Sequence, residues 1–191
     1  MIFLRRILFI PLLLLIACAP TAFVAPAETA EMLSARMERG LLLLDVPFFP
    51  QPEGLCGPAS LASVLHFWKR TTSVEEIKQA IYLPQLNGAL GIDLTLFARR
   101  EGFLADFFTG NLTDLRDRLA AGIPPIVFLN LGNRFFPVGH FIVVTGIDEE
   151  REEVIAHSGS EANKPIPYQT FLAAWKKTDY WTLRVVPPHD S

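Results

Sequence analysis

Cys56 stands in QPEGLCGPASL, Gln51 to Leu61, with a Gly-Pro pair after it and a glutamine five residues before it. A cysteine attacks a carbonyl carbon as the thiolate, and the start of a helix favours that anion through unpaired N–H groups and the helix dipole. Pro58 suits a first helical turn, where its missing N–H costs nothing. Leu61, Val64, Leu65 and Trp68 then recur at helical spacing, so a helix is expected to begin just after Cys56. Acyl transfer by this thiol needs donors for an oxyanion, and the backbone N–H groups near Cys56 and the amide of Gln51 are the candidates. Gly54 and Gly57 leave room for backbone and substrate to approach closely.

A thiol nucleophile also needs a base within hydrogen-bond reach, normally His, and the chain has four. His189 falls in the polar C-terminal tail. His66 sits late in the Cys56 helix, roughly 15 Å along it at 1.5 Å per residue, beyond reach of the thiol. His140 opens the most apolar stretch of the chain, GHFIVVTGI, directly after Gly139. From such a strand end an imidazole can face a cleft, and His140 is the candidate base. Cys56, His140 and His157 could also form a three-ligand metal site, but zinc sites show close ligand pairs such as CxxC. The sequence has no such pair, and neither a metal nor a cofactor is expected.

Residues 1–18 read MIFLRRILFIPLLLLIAC. Arg5 and Arg6 form a positive n-region, Ile7 to Ile16 an apolar h-region, and Ala17 a small residue before Cys18, which is the pattern of an export signal. The apolar run is about ten residues, too short for a spanning helix that needs roughly 20. Leu15-Ile16-Ala17-Cys18 resembles the lipobox of bacterial lipoproteins, which implies cleavage before Cys18 and acylation of its thiol. The expected organisation is a lipoprotein signal peptide over 1–17, a lipidated N-terminus and tether over 18–40, and one folded domain over 41–188. Ala19, standing where an Asp would favour inner-membrane retention, points to the outer membrane and a domain that faces the periplasm. With Cys18 acylated, Cys56 has no disulfide partner. An odd thiol in an exported protein is an intermolecular bridge, a reactive nucleophile or a small buried hydrophobe.

The 191 residues, half of them hydrophobic and 15 of them Phe, describe a globular core. A net charge of -3, with no Lys or Arg run outside the signal, excludes the electrostatic footprint of a nucleic-acid binder. Ala19 to Glu38 is Ala- and Pro-rich and fits a tether, with TAEMLSARMERG as one short helix. LLLLDVPFF from Leu41 reads as a strand entering a Pro-bounded loop. Ser73-Val74-Glu75-Glu76 is a capping box that opens a second helix through Ile81. A third helix is expected over Asp93 to Arg100 with FLADFF as a strand behind it, and NLTDLRDRLAAG makes a fourth helix. PPIVFLNL, HFIVVTGI and EEVIAHS follow as strands, then a last helix from Tyr168 to Lys176 and the strand YWTLRVV. Helices first and sheet second is the order of an α+β fold, with N-terminal helices packed on a C-terminal antiparallel sheet.

VPFFPQPEGLCGPASLASVL followed by GHFIVVTGI resembles the C39 and C39-like cysteine peptidases, over about Val46 to Val186. More narrowly, the chain looks like stand-alone exported members of Gram-negative bacteria, in which an SG dipeptide and a late W-containing helix follow the His strand. The resemblance implies a papain-like fold, a peptide or protein substrate, Cys56 as nucleophile, His140 as general base and Gln51 as oxyanion donor. In one position the chain departs from the family. Leader-processing members carry an Asp at the end of the strand after the His strand, and here AHSG puts His157 and Ser158 there. His157 is the first choice for orienting His140, with Ser158 and with Asn130 on the neighbouring strand as the other candidates. Asp148 is roughly 25 Å along the His140 strand at 3.3 Å per residue and is set aside.

Three functions are compatible with these residues. The first is a periplasmic-side thiol peptidase acting through a thioester. The second is an NlpC/P60-like cell-wall peptide hydrolase, favoured by the His140 and His157 pair but opposed by LCGPAS in place of the DCSG of that group. The third is a catalytically weak peptide-binding module of the same fold, motivated by the missing carboxylate.

Overall fold

The computed structural model describes residues 40–188. The signal, the lipobox, nearly all of the tether with its short helix, and His189 lie outside the described residues.

The strands β1 (Leu41–Leu43), β2 (Leu104–Thr109), β3 (Ile126–Asn130), β4 (Gly139–Asp148), β5 (Glu153–Ser158), β6 (Glu161–Pro167) and β7 (Trp181–Val186) form one sheet. Its order is β2-β7-β3-β4-β5-β6, with β1 also paired to β4. Every pairing is antiparallel. The helices are α1 (Cys56–Phe67), α2 (Val74–Ile81), α3 (Gly91–Arg100), α4 (Leu112–Ala120) and α5 (Tyr168–Trp175). This is the expected α+β arrangement.

Helices cover both faces of the sheet. On one face Leu61, Leu65, Ile77, Leu94 and Phe97 of α1–α3 pack with Ile126, Phe141, Val143 and Leu183. On the other, Leu115 and Leu119 of α4 and Phe171 and Trp175 of α5 pack with Val127, Leu129, Ile142 and Val144. Alternate residues of β4 therefore serve opposite cores, as the two-residue period of a strand requires. Burial on both sides runs without a break from Phe141 to Asp148, which is why FIVVTGI is apolar throughout instead of alternating.

Helix α1 is enclosed on all sides, since every residue from Gly57 to Leu65 is buried. Its small residues Ala59, Ser60, Ala62 and Ser63 let neighbouring elements close around it, and a helix buried all round needs no polar face. The capping box on α2 forms as expected: Ser73 Oγ accepts from Glu76 N–H at 3.2 Å and Glu76 Oε2 from Ser73 N–H at 2.8 Å. Helix α3 starts at Gly91, two residues before the expected Asp93. Strand β6 was not expected. Its sequence EANKPIP is polar and carries Pro165 and Pro167, residues that a strand tolerates at a sheet edge, where the missing N–H needs no partner. β6 is such an edge, paired only to β5.

Candidate active site

Cys56 is the first residue of α1, and the cap residue Leu55 offers no side-chain hydrogen bond to the first turn. The loop into it turns at Gly54, whose φ is +77°, a conformation that side chains resist. A Cβ at Gly54 would also lie 2.6 Å from Asn87 Oδ1. At Gly57 a Cβ would meet Ala89, Leu94 and Phe141 side chains, each at 3.3 Å. Both glycines thus permit the close approach inferred from the sequence. The N–H groups of Phe141, Gly57 and Cys56 itself favour the thiolate, yet burial outweighs them and pushes the Cys56 thiol above its ordinary value.

His140 lies at the start of β4, opposite Leu129 of β3. Cys56, His140 and Gln51 all line one cavity of about 560 Å³, with Phe128, Leu131, Val138, Leu86 and Leu90 among its walls. A cavity of this kind, apolar in wall with a few convergent polar groups, is the usual form of a ligand site. The structure thus brings together the thiol, the imidazole and the amide that the sequence singled out. Burial pushes the His140 imidazole below its ordinary value, and the Lys164 ammonium acts in the same direction.

The Gln51 side chain is fixed at both ends. Its Oε1 accepts from Gly159 N–H at 2.9 Å, and its Nε2 donates to Ser60 Oγ at 3.0 Å. A backbone bond from Gln51 N–H to Gly159 O at 2.8 Å adds a second tie. The amide is therefore oriented, with its N–H side toward α1.

The third position differs from the first choice made on sequence. His140 Nε2 lies 3.0 Å from Ser158 Oγ. His157 is elsewhere: its Nε2 lies 2.8 Å from Val46 O, its Nδ1 accepts from Asn163 N–H at 3.1 Å, and Phe48 packs edge-on against the ring. With both ring nitrogens engaged, His157 does not orient His140. The reason is strand geometry. His157 pairs with Val143, three residues along β4 from His140, and an odd step on a strand faces the opposite side of the sheet. Asn130 is occupied too, its Oδ1 accepting from Gly132 and Val138 N–H at 3.0 Å each. His66 lies away from the site, its Nε2 3.1 Å from Thr72 O.

Two neighbours of the site had no signal in the sequence. Ser60, which receives the Gln51 amide, reads as one more small residue of a buried helix. Lys164 belongs to the unexpected edge strand. Among the described residues, no group of three His, Cys, Asp or Glu side chains is placed to hold a metal ion.

The model of the Peptidase_C39 like family matches residues 43–182. Among solved structures, the peptidase domain of Streptococcus ComA, a bi-functional ABC transporter involved in quorum sensing, aligns with a TM-score of 0.61 at 23% identity. That alignment covers 73% of this chain and 96% of the other. A double glycine motif protease from an AMS/PCAT transporter, in complex with its leader peptide, aligns with a TM-score of 0.61 at 21% identity over 76% of this chain and 94% of that one. A protein of Bacillus anthracis described as a C39-like peptidase aligns with a TM-score of 0.61 at 19% identity, covering 78% and 98%. At these identities the likeness speaks to fold, and the fold shared is that of C39 peptidase domains, helices on an antiparallel sheet in the papain-like manner. No curated protein matches the sequence. Family and fold together support a peptidase function. Since the match spans most of the chain, including the Cys56 loop, the His140 strand and the strands on either side of it, the chain belongs to the Peptidase_C39-like family.

Proposed function

We propose that this protein is a lipid-anchored thiol peptidase on the periplasmic side of the bacterial envelope, attached through Cys18. The observation that carries the hydrolase reading is that the Cys56 thiol and the Gln51 amide share one cavity with the imidazole of His140, from a distant part of the chain. Cys56 Sγ attacks the scissile carbonyl carbon while His140 takes the thiol proton. The C–N bond then breaks as His140 returns that proton to the leaving amine, and a thioester to Cys56 remains. Water, deprotonated by His140, attacks the thioester, releasing the carboxylate and restoring the thiol. The Gln51 amide and the Cys56 N–H at the start of α1 hold the oxyanion in both halves. Ser158 positions the imidazole: with Nε2–H donating to Ser158 Oγ, Nδ1 is left to accept the proton. The neighbour solved with a leader peptide supports a peptide as ligand, without carrying its double-glycine specificity to this chain.

The test is cleavage of a peptide library by the exported protein and by Cys56→Ala and His140→Ala. Both variants should lose turnover, and equal cleavage by Cys56→Ala and wild type removes the reading.

A weak-turnover, peptide-binding variant of this reading is favoured by one observation, that the group 3.0 Å from His140 Nε2 is the hydroxyl of Ser158 and not a carboxylate. A hydroxyl cannot neutralise an imidazolium. The cell-wall hydrolase reading loses its main support, because His157 is not beside His140.

A further inference from the structure

The loop between β3 and β4, LGNRFFPV from Leu131 to Val138, is the most apolar exposed feature among the described residues. Phe135 is 83% and Phe136 75% exposed, flanked by Leu131 and Val138, both more than half exposed. An exposed patch of this kind on a folded domain marks a protein or membrane contact. Loop construction decides between them. Leu131 N–H donates to Val138 O, and Asn133 N–H to Phe136 O. The Gly132 and Val138 N–H groups donate to Asn130 Oδ1, and the Phe135 and Phe136 N–H groups to Asn133 Oδ1. Lys177 Nζ donates to Gly132 O at 2.7 Å from the far side. Gly132 is required, since a Cβ there would lie 2.0 Å from Phe136 O.

Six backbone N–H groups of the loop are thus satisfied, four within it and two by the Asn130 side chain at its base. Such a loop offers little backbone for an added peptide strand to pair with. It can, however, enter a water-poor layer without stranding those donors, which is the condition that lipid imposes on backbone. Its charge fits the same occupant. From Leu131 to Ile147 the chain carries Arg134 and no acidic residue, and exposed Lys176 and Lys177 stand on the adjoining turn, which exposed Asp179 closes, leaving the loop and turn net positive. Aromatic tips beside cations match the interface of an anionic bilayer. Phe135 and Phe136 are not among the cavity walls, whereas Leu131, Pro137 and Val138 of the same loop are.

We propose that the Leu131–Val138 loop docks on an anionic lipid surface, inserting Phe135 and Phe136 at the headgroup layer and holding the mouth of the Cys56 cavity against the membrane. The geometry of attachment rests on the anchor proposed above. β1 begins beside Asp148, at the end of β4 far from this loop, and residues 19–40 can extend at most about 75 Å. That exceeds the roughly 30 Å length of β4 at 3.3 Å per residue.

The experiment is Phe135→Trp in the exported, purified protein, mixed with phosphatidylethanolamine–phosphatidylglycerol vesicles that carry brominated acyl chains. Wild-type emission is subtracted to remove Trp68, Trp175 and Trp181. The introduced indole should shift to the blue and lose most of its emission to bromine. Adding Phe136→Ser to Phe135→Trp should reduce the bromine quenching of the indole, yet the double variant should cleave a short soluble peptide as wild type does. An indole that stays unquenched on vesicle-bound protein overturns the proposal, as does an indole that responds to peptide and not to lipid. The intact mass of the purified chain reports acylation of Cys18 separately, so failure of the anchor and failure of the loop are distinguishable.

Discussion

Ser158 Oγ, on the neighbouring strand, lies 3.0 Å from His140 Nε2. The bond can fix the direction of the imidazole, but the hydroxyl supplies no charge to the imidazolium that forms during attack. Ser158→Ala should lower kcat roughly ten-fold with KM little changed, a fraction of the 10²–10⁴ that a positioned base supplies. Ser158→Asp should raise the His140 pKa, since an adjacent anion favours the charged ring. The acid limb of the kcat/KM profile should then move to higher pH, and kcat should rise. A purely structural Ser158 would leave that limb in place.

Burial pushes the Cys56 thiol up and the His140 imidazole down, and both shifts favour a neutral thiol and a neutral imidazole on the shared cavity. Iodoacetamide alkylation of Cys56 should therefore follow a single ionisation above the ordinary thiol range, with no reactive plateau in acid. The acid limb of kcat/KM should fall below the ordinary imidazole value, because the ring must be unprotonated to accept the thiol proton. An acid-side alkylation plateau would show a preformed thiolate–imidazolium pair and contradict this.

Gln51 joins Gly159 to Ser60 through the two ends of its amide. Gln51→Ala should reduce kcat by roughly 10²-fold, the usual cost of one oxyanion donor. Gln51→Glu keeps an acceptor for Gly159 N–H but replaces the donor with a negative charge beside the developing oxyanion. Its kcat should fall at least as far while the melting temperature stays closer to wild type than that of Gln51→Ala.

His157 is 2% exposed, and its removal leaves Val46 O and Asn163 N–H without their partner. His157→Ala should destabilise the domain by about 3 kcal/mol, the order expected for stranding two buried backbone groups. Burial holds the folded ring's pKa below its unfolded value. In the window between those two values the unfolded chain binds more protons, so stability is retained above the unfolded pKa and declines as pH falls through it. Urea midpoints should fall as the pH drops below the ordinary imidazole value of about 6.5. His157→Gln should flatten the part of that slope that His140 does not account for.

Much of this architecture could be read from the chain because its signals are local. The helix after Cys56, the box at Ser73 and the continuous apolar run after His140 each depend on neighbours in sequence. The partner of His140 was not legible, because it depends on register. His157 and Ser158 are adjacent in sequence, yet Val143 pairs with His157, and the β4–β5 ladder shifts its register between Val144 and Gly146. A shift of one residue changes which of the two faces a given side of the sheet. Edge strand β6 was hidden for a different reason. A strand that buries little and carries Pro165 and Pro167 has neither the apolar alternation nor the β-branched content that marks interior strands.

The segment from Val46 to Gln51 is held by β5 and the turn after it, through His157 to Val46 and Gly159 to Gln51, contacts 111 and 108 residues apart in sequence. Bonds that close loops of this length form only after the intervening chain has been ordered. Placement of the Gln51 amide beside α1 is thereby deferred until β5 and the turn after it are in order, well after the helices have formed. Refolding should accordingly return helical circular dichroism before it returns peptide cleavage.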